Sequence, residues 1–279
     1  MGALLALVAS LAYGVSDFAA GLASRRFAAG PVAAVAQIFG VLTAVIALAV
    51  FPGVGPTERV IGWGALSGLG SAVGTLSLYR GLAIGRMSIV ATLSAVLTAV
   101  IPAVVGLASG NHLNTAALVG MGIAIPAIGL VSWQPRSEDR APSRGGLLYG
   151  VTSGLGFALL FIALDHAGTH AGAWPLVPGQ GIAFILEIPF AIHGFRSSSL
   201  PSRATIGLMI LGGFLSGTGN LLFLAATGRG QLAVIAVLSS FYPAITIVLA
   251  RSFLSERWSR LQAVGLVTAA AAIALVSTG

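Results

Sequence analysis

A stretch that occurs twice constrains this chain more than any other feature. Residues 230–265 read as an apolar helix with a proline inside it, a short charged turn at Ser255-Glu256-Arg257, and the start of another apolar helix. Residues 85–120 carry the same pattern without a gap: Gly85/Gly230, Ala91/Ala236, Leu93/Leu238, Ser94/Ser239, Ala99/Ala244, Val119/Val264 and Gly120/Gly265 coincide. The register extends upstream through Gly68/Gly213, Ser71/Ser216 and Gly74/Gly219, and downstream to Leu130-Val131-Ser132 against Leu275-Val276-Ser277. An internal repeat of this kind decides the architecture before any local reading does, because neighbouring copies bury their apolar faces against each other.

Composition says where such a repeat lives. The chain is 57% hydrophobic and 8% charged, with a mean hydropathy of +0.99, whereas soluble domains carry about 25% charged residues. This is the composition of a membrane protein. All 14 basic residues are arginine and there is no cysteine, so disulfides, thiolate nucleophiles and cysteine-bound metals are excluded. A pI near 11.3 invites a nucleic-acid reading. The arginines, however, come singly or in twos and threes between apolar runs, the habit of membrane loops and not of a nucleic-acid patch. The N-terminal run lacks a basic leader and contains Asp17, so it reads as a first span and not as a cleaved signal peptide.

A helix crossing about 30 Å of hydrocarbon needs about 20 apolar residues. Ten such runs fit, near 2–23, 31–51, 60–79, 87–108, 113–133, 146–164, 174–193, 204–225, 231–252 and 259–277. The longest polar break divides them into a first five-helix repeat (1–133), a linker (134–145) and a second five-helix repeat (146–279). An odd number of spans per repeat sends the second copy into the membrane from the opposite side. The fold class expected is therefore all-α integral membrane, with ten transmembrane helices as two inverted five-helix repeats. Many secondary transporters share that plan, with the substrate near the midplane between the repeats. Gly64/Gly68, Gly70/Gly74 and Gly213/Gly217 are small-xxx-small pairs suited to close helix packing. Pro102, Pro126, Pro189 and Pro243 lie inside spans, where each removes a backbone donor.

The residues then carry a resemblance. Leu238-Ser239-Ser240-Phe241-Tyr242-Pro243, Leu254-Ser255-Glu256-Arg257 and Gly265, on two five-helix repeats and after an opening Tyr13-Gly14-Val15-Ser16-Asp17-Phe18, resemble the EamA family of the drug/metabolite transporter (DMT) superfamily. The first repeat departs from the pattern, with Thr98 in place of the proline and Asn111 in place of the glutamate. The resemblance implies a secondary active transporter, an exporter of a small metabolite such as an amino acid or a drug-like solute, multi-pass in a cell membrane (the inner membrane of a bacterium). It also implies cytoplasmic termini. The arginine count disagrees, since twelve of the fourteen flank odd-numbered connections and the positive-inside rule would place both termini outside.

An ionisable group inside a span is expensive and is a functional candidate by default. Asp17 lies about 7 Å from the middle of its span at 1.5 Å per residue, on one face with Ser10, Gly14 and Gly21 and beside Tyr13. It could exchange protons with a cavity or hold an amine, pair with an arginine such as Arg25, or reach interfacial water. Glu187, beside Pro189, is the secondary coupling candidate, with an interfacial position as its plainer reading. Gln37 and Gln180 stand at matching places in the two halves, as do Thr75 and Asn220. Ser239, Tyr242 and Thr246 share a helical face, with Ser94 and Thr98 in the other repeat. Together these would line a polar, mostly uncharged cavity, or simply bond from helix to helix. His112, His166, His170 and His193 lack an acidic set around them, so no metal is expected. No P-loop, GxSxG or HExxH occurs, so neither a cofactor nor ATP drive is expected. The partners expected are a small-molecule substrate, the lipid bilayer and protons, with no nucleic acid. The competing classes are an intramembrane lipid-modifying enzyme, which would need convergent acids or a nucleophile, and a channel, which would need charge rings or a filter.

Overall fold

The computed structural model describes residues 1–84, 87–131, 144–197, 200–254 and 260–278. The expected charged turn at 255–257, most of the linker 134–145 and the Gly85-Arg86 connection lie outside the described residues. Those described form helices and connections, with no strand among them. In chain order the helices are α1 (Gly2–Ser24), α2 (Ala29–Val50), α3 (Glu58–Ile84), α4 (Met87–Ala108), α5 (Thr115–Val131), α6 (Arg144–Ala167), α7 (Leu176–Arg196), α8 (Arg203–Thr227), α9 (Leu232–Ser239), α10 (Tyr242–Leu254) and α11 (Arg260–Val276). Six of them (α1, α2, α3, α6, α7 and α8) are long and apolar enough to cross a membrane, and 93–108, 115–130, 232–246 and 263–276 are shorter apolar stretches. The protein is an all-α membrane protein.

The run expected as one ninth span is two helices, α9 and α10, separated at Ser240-Phe241. Pro243 contributes to the break. Having no N–H, it cannot bond the carbonyl of Ser239 one turn earlier. The chain tightens instead: Phe241 N–H donates to Leu238 O at 3.4 Å and Ala244 N–H to Phe241 O at 3.0 Å. Thr98, the matching residue of the first repeat, keeps its donor, and α4 runs through that position without interruption. Pro102, Pro126 and Pro189 are likewise carried inside continuous helices. Asn111, which stands where the repeat pattern has glutamate, accepts a 3.1 Å hydrogen bond from Ala233 N–H. It thus caps the start of α9 from the α4–α5 connection, satisfying one of the donors a helix start leaves open.

The helix contacts come in exchangeable pairs. α3 packs on α6 as α1 packs on α8; α4 packs on α6 as α9 and α10 pack on α1; α2 packs on α8 as α3 packs on α7. α2 with α7, and α5 with α11, pair directly across the two halves. These contacts are close because glycine sits at the crossings. A Cβ on Gly156 of α6 would lie 2.8 Å from both Gly70 O and Gly74 Cα of α3. One on Gly64 would meet Pro175 O at 2.5 Å, and one on Gly217 would meet Thr43 Cβ of α2 at 2.8 Å. All three small-xxx-small pairs therefore lie at interfaces between the halves. Lipid offers no hydrophobic push to bring helices together, so the gain comes from van der Waals contact that larger residues would prevent.

Gly156→Val should lower the midpoint of unfolding in micelles by an amount equivalent to about 1–3 kcal/mol, the range for overpacking. Gly207→Ala, where the added Cβ meets nothing within 4 Å, should leave the midpoint unchanged or raise it. Equal effects from the two would show that the α3–α6 contact is not limiting.

Candidate functional site

Three helices from each half surround a partly open cavity. From the first half, α1 contributes Tyr13 and Asp17, α3 contributes Ser71, Thr75 and Tyr79, and α4 contributes Thr98. From the second, α6 contributes Phe157, Leu160 and Phe161, α8 contributes Ser216 and Asn220, and α10 contributes Tyr242. A smaller space, lined by Ser67, Gly179 and Gln180 among others, adjoins it through Ser71, Leu160 and Asn220. Asp17 is the sole residue of either lining that carries a full charge when ionised at neutral pH.

Local structure places each group. On α3, Ser67, Ser71, Thr75 and Tyr79 recur every fourth residue, so one helix face presents a polar stripe to the cavity. On α1, Tyr13 and Asp17 have the same spacing. Gly14, between them, lets α1 approach α10 closely: a Cβ there would sit 2.7 Å from Tyr242 O. Thr246 Oγ1 donates to Gly14 O at 3.0 Å across the same contact. The break before Tyr242 thus lies against α1, beside the cavity.

Most polar groups here find partners. Tyr13 donates to Asn220 Oδ1 at 2.7 Å, tying α1 to α8 across the halves. Thr98 donates to Ser94 O at 2.7 Å, and Ser94 and Ser153 share a 2.9 Å hydrogen bond between α4 and α6. Tyr13 also meets Phe161, with ring centroids 5.9 Å apart, and Tyr242 edge-on at 6.5 Å. The Tyr242 hydroxyl is buried near Ser94 and Thr98 but makes no hydrogen bond of ordinary geometry. Asp17, half-buried in the cavity wall, has neither a hydrogen bond nor an ion pair among the described residues. The hydroxyls of Tyr13, Tyr79 and Tyr242 all lie within reach of its charge.

Five of the residues expected at the site, Asp17, Tyr13, Thr75, Asn220 and Tyr242, line the main cavity, and Gln180 lines the adjoining one. Gln37 is buried and bonds to Gln180 twice, to its side-chain oxygen and to its backbone carbonyl, the latter at 3.2 Å. The matched amides therefore join α2 to α7 directly. Ser239 is buried against α1, its hydroxyl 3.5 Å from Ala6 O, and is not among the lining residues. Glu187 is fully buried on α7 and is not among the lining residues. Tyr79, Ser71, Ser216, Phe157 and Phe161 were not expected at the site. The repeat register pairs Ser71 with Ser216 as it pairs Thr75 with Asn220, and Tyr79 continues the α3 stripe, so the polar members had a signal. The aromatic pair on α6 had none, because phenylalanine in a span reads as lipid-facing.

No described group of three or more histidine or acidic residues could hold a metal ion. A double-mutant cycle on Gln37→Leu and Gln180→Leu should return a coupling of about 0.6–2 kcal/mol, the range for buried interhelical hydrogen bonds in membranes, read from unfolding in mixed micelles. Strictly additive losses would mean that the two amides act separately.

Residues 144–278 match the model described as the EamA-like transporter family. A solved crystal structure superposes on 99% of this chain and 96% of its own with a TM-score of 0.73 at 15% identity, a likeness of fold alone. No curated protein matches the chain. The EamA-like transporter family is thus what residues 144–278 of this chain are similar to.

Proposed function

We propose that this protein is a secondary active transporter that exports a small metabolite by alternating access, with its solute held between two inverted five-helix repeats spanning the membrane ten times. The observation that carries the reading is the central cavity. It is polar, it is bounded by three helices from each half, and it holds one unpartnered carboxyl group. The family supplies the transporter class. The paired helix contacts support an exchange of the halves, and export in particular follows the family resemblance.

The lining also has a direction. Asp17 and the tyrosines come from α1, α3 and α10, with smaller polar groups from α3, α4 and α8, whereas Phe157, Leu160 and Phe161 of α6 form an apolar wall. Leu160 takes the place in the second half that Asp17 has in the first, if the halves are aligned on Gln37 and Gln180. An amphipathic solute, such as an amino acid or a drug-like amine, would lie with its polar end toward Asp17 and its apolar body against α6. Asp17 then serves either as a proton carrier or as the partner of an ammonium group. A carboxyl group out of water favours its neutral form and a nearby cation favours the ionised one, so both roles suit this setting.

The inverted arrangement is tested by labelling. The chain has no cysteine, so single replacements read out without background. Val54→Cys, between α2 and α3, and Ser197→Cys, between α7 and α8, are at exposed, matching connections. In intact cells a membrane-impermeant maleimide should label one and spare the other. Labelling of both, or of neither with full labelling after lysis, would put the halves in the same orientation.

The role of Asp17 is tested with a ligand found by its rise in melting temperature across a metabolite panel. Wild-type proteoliposomes should show saturable counterflow of that ligand. If Asp17 carries the proton, Asp17→Asn keeps binding and counterflow but loses accumulation driven by a pH gradient. If it holds an ammonium group, affinity itself falls by about tenfold to a hundredfold, the loss of a charged hydrogen bond of about 1.5–3 kcal/mol. Unchanged gradient-driven transport in the variant would remove Asp17 from the mechanism, and linear, unsaturable flux in the wild type would point to a channel.

A further inference from the structure

A zwitterion and a simple amine make different demands on a binding space, and the cavity meets only the second. An ammonium group needs an anion, the faces of aromatic rings, or both. A carboxylate out of water needs a cation or several converging donors, and is strongly disfavoured without them. The anion is present. Asp17 lines the cavity and has neither a hydrogen bond nor an ion pair among the described residues. Aromatic rings are present too. Tyr13, Tyr79, Phe157, Phe161 and Tyr242 all line the space, from α1, α3, α6 and α10. Tyr13 stands one turn from Asp17 on α1, and its ring centroid is 5.9 Å from that of Phe161 and 6.5 Å from that of Tyr242. A cation held by a ring sits within about 6 Å of its centroid, so a group lodged between rings at these spacings reaches more than one.

A partner for a carboxylate is not present. The chain has no lysine, and no arginine or histidine among the described residues lines either space. Arg25, Arg80 and Arg203, on or beside the helices α1, α3 and α8 that bound the cavity, are exposed near the helix ends. Neutral donors are partly committed: the Tyr13 hydroxyl donates to Asn220 Oδ1 and that of Thr98 to Ser94 O, each at 2.7 Å. The start of a broken helix can offer backbone N–H groups to an anion. At the start of α10, however, Pro243 has no N–H, and that of Ala244 donates to Phe241 O at 3.0 Å. The Tyr242 hydroxyl is uncommitted, but one neutral donor does not hold a carboxylate beside Asp17. An acid group entering this space would meet a like charge and no opposite one, which is how a site rejects a ligand.

We propose that the solute of this protein is an organic cation with an apolar body and no acid group: an amine or its N-methylated derivative, and not an amino acid. The inference rests on the transport reading of the same cavity and narrows it. The ammonium group sits against Asp17 and the tyrosine faces, and the body lies on Phe157, Leu160 and Phe161. Specificity comes from what the site lacks. An amino acid and the amine left after loss of its carboxyl group share a side chain and an ammonium group. The cavity separates them by the one group it has no means to hold.

Decarboxylated pairs test this directly. The probes are phenethylamine against phenylalanine, 3-methylbutylamine against leucine and tryptamine against tryptophan, with the corresponding alcohols as uncharged controls for the apolar body. Binding to the purified protein is read from the rise in melting temperature as each probe is titrated. At least one amine should bind about tenfold or more tightly than both its amino acid and its alcohol. Asp17→Asn should weaken that amine by about tenfold to a hundredfold, the scale of a charged hydrogen bond, and bring it close to the alcohol. Asp17→Glu should keep the preference for the amine, which separates a lost charge from a misfolded protein. An amino acid that binds as tightly as its amine would overturn the proposal. So would an alcohol that matches the amine in the wild type, an amine affinity untouched by Asp17→Asn, or no binding of any amine up to millimolar concentrations. The transport reading stands or falls separately. Saturable counterflow of some other solute sustains it if every amine fails, whereas an amine that binds without counterflow removes it and leaves the cation site.

Discussion

Lipid accepts no hydrogen bonds, so a polar group inside a span must be satisfied by the protein or face water in a cavity. The rest of this structure depends on that constraint. Thr98, Thr218, Ser240 and Thr268 each return a hydrogen bond to the carbonyl one turn earlier on their own helix. Gln37 and Gln180 satisfy each other across the halves, and Tyr13 and Asn220 do the same. The few groups left over are concentrated where water or movement must supply what the static packing does not. Among the described residues they include the Asp17 carboxyl in the cavity wall, the Tyr242 hydroxyl beside the break and the two oxygens of Glu187, besides Ser24 Oγ and Gln231 Oε1 at helix ends.

The same constraint explains the glycines. Helix surfaces that cannot gain from expelling water must gain from contact, and contact is greatest where backbones touch. Gly70, Gly74 and Gly156 bring α3 and α6 together, and Gly213 and Gly217 bring α8 against α2. These contacts are between the halves, so the surface that holds the repeats together is also the one that must slide if access alternates. Backbone contacts between small residues have few interlocking side chains to unlock, whereas bulky interdigitated ones would fix a single arrangement.

Much of this was legible in the sequence, and particular residues show why. Composition alone specified a helical membrane protein, and the repeat pointed to the helices that bound the cavity. The pairs Ser71/Ser216 and Thr75/Asn220 both reach the cavity, as a two-fold relation between the halves would require. The burial of Glu187 was not legible. A glutamate near the end of an apolar run reads as interfacial, and only the packing of α7 between α2 and α3 shows that it is enclosed. Nor did the sequence say which of four prolines would break its helix. Pro102, Pro126 and Pro189 lie in continuous helices, whereas Pro243 follows two residues that adopt a tight turn. The matched amides carried two meanings, substrate binding and helix pairing; their mutual hydrogen bond shows the pairing, and Gln180 also lines the space beside the cavity.

The departures from symmetry carry as much chemistry as the symmetry does. Exchange of the halves would put Leu160 where Asp17 is, Leu224 where Tyr79 is and Leu97 where Tyr242 is. The carboxyl group and the tyrosines of the cavity thus come from α1, α3 and α10, and the break in the helix adjoins them through Tyr242. A strictly two-fold cavity would hold a solute equally well in two orientations and would meet both faces of the membrane with the same affinity. With its carboxyl group, its tyrosines and its interrupted helix together, the cavity of the proposed transporter would distinguish one end of a solute from the other. It also couples the most polar wall of the cavity to α10, the segment whose link to the rest of its span is weakest.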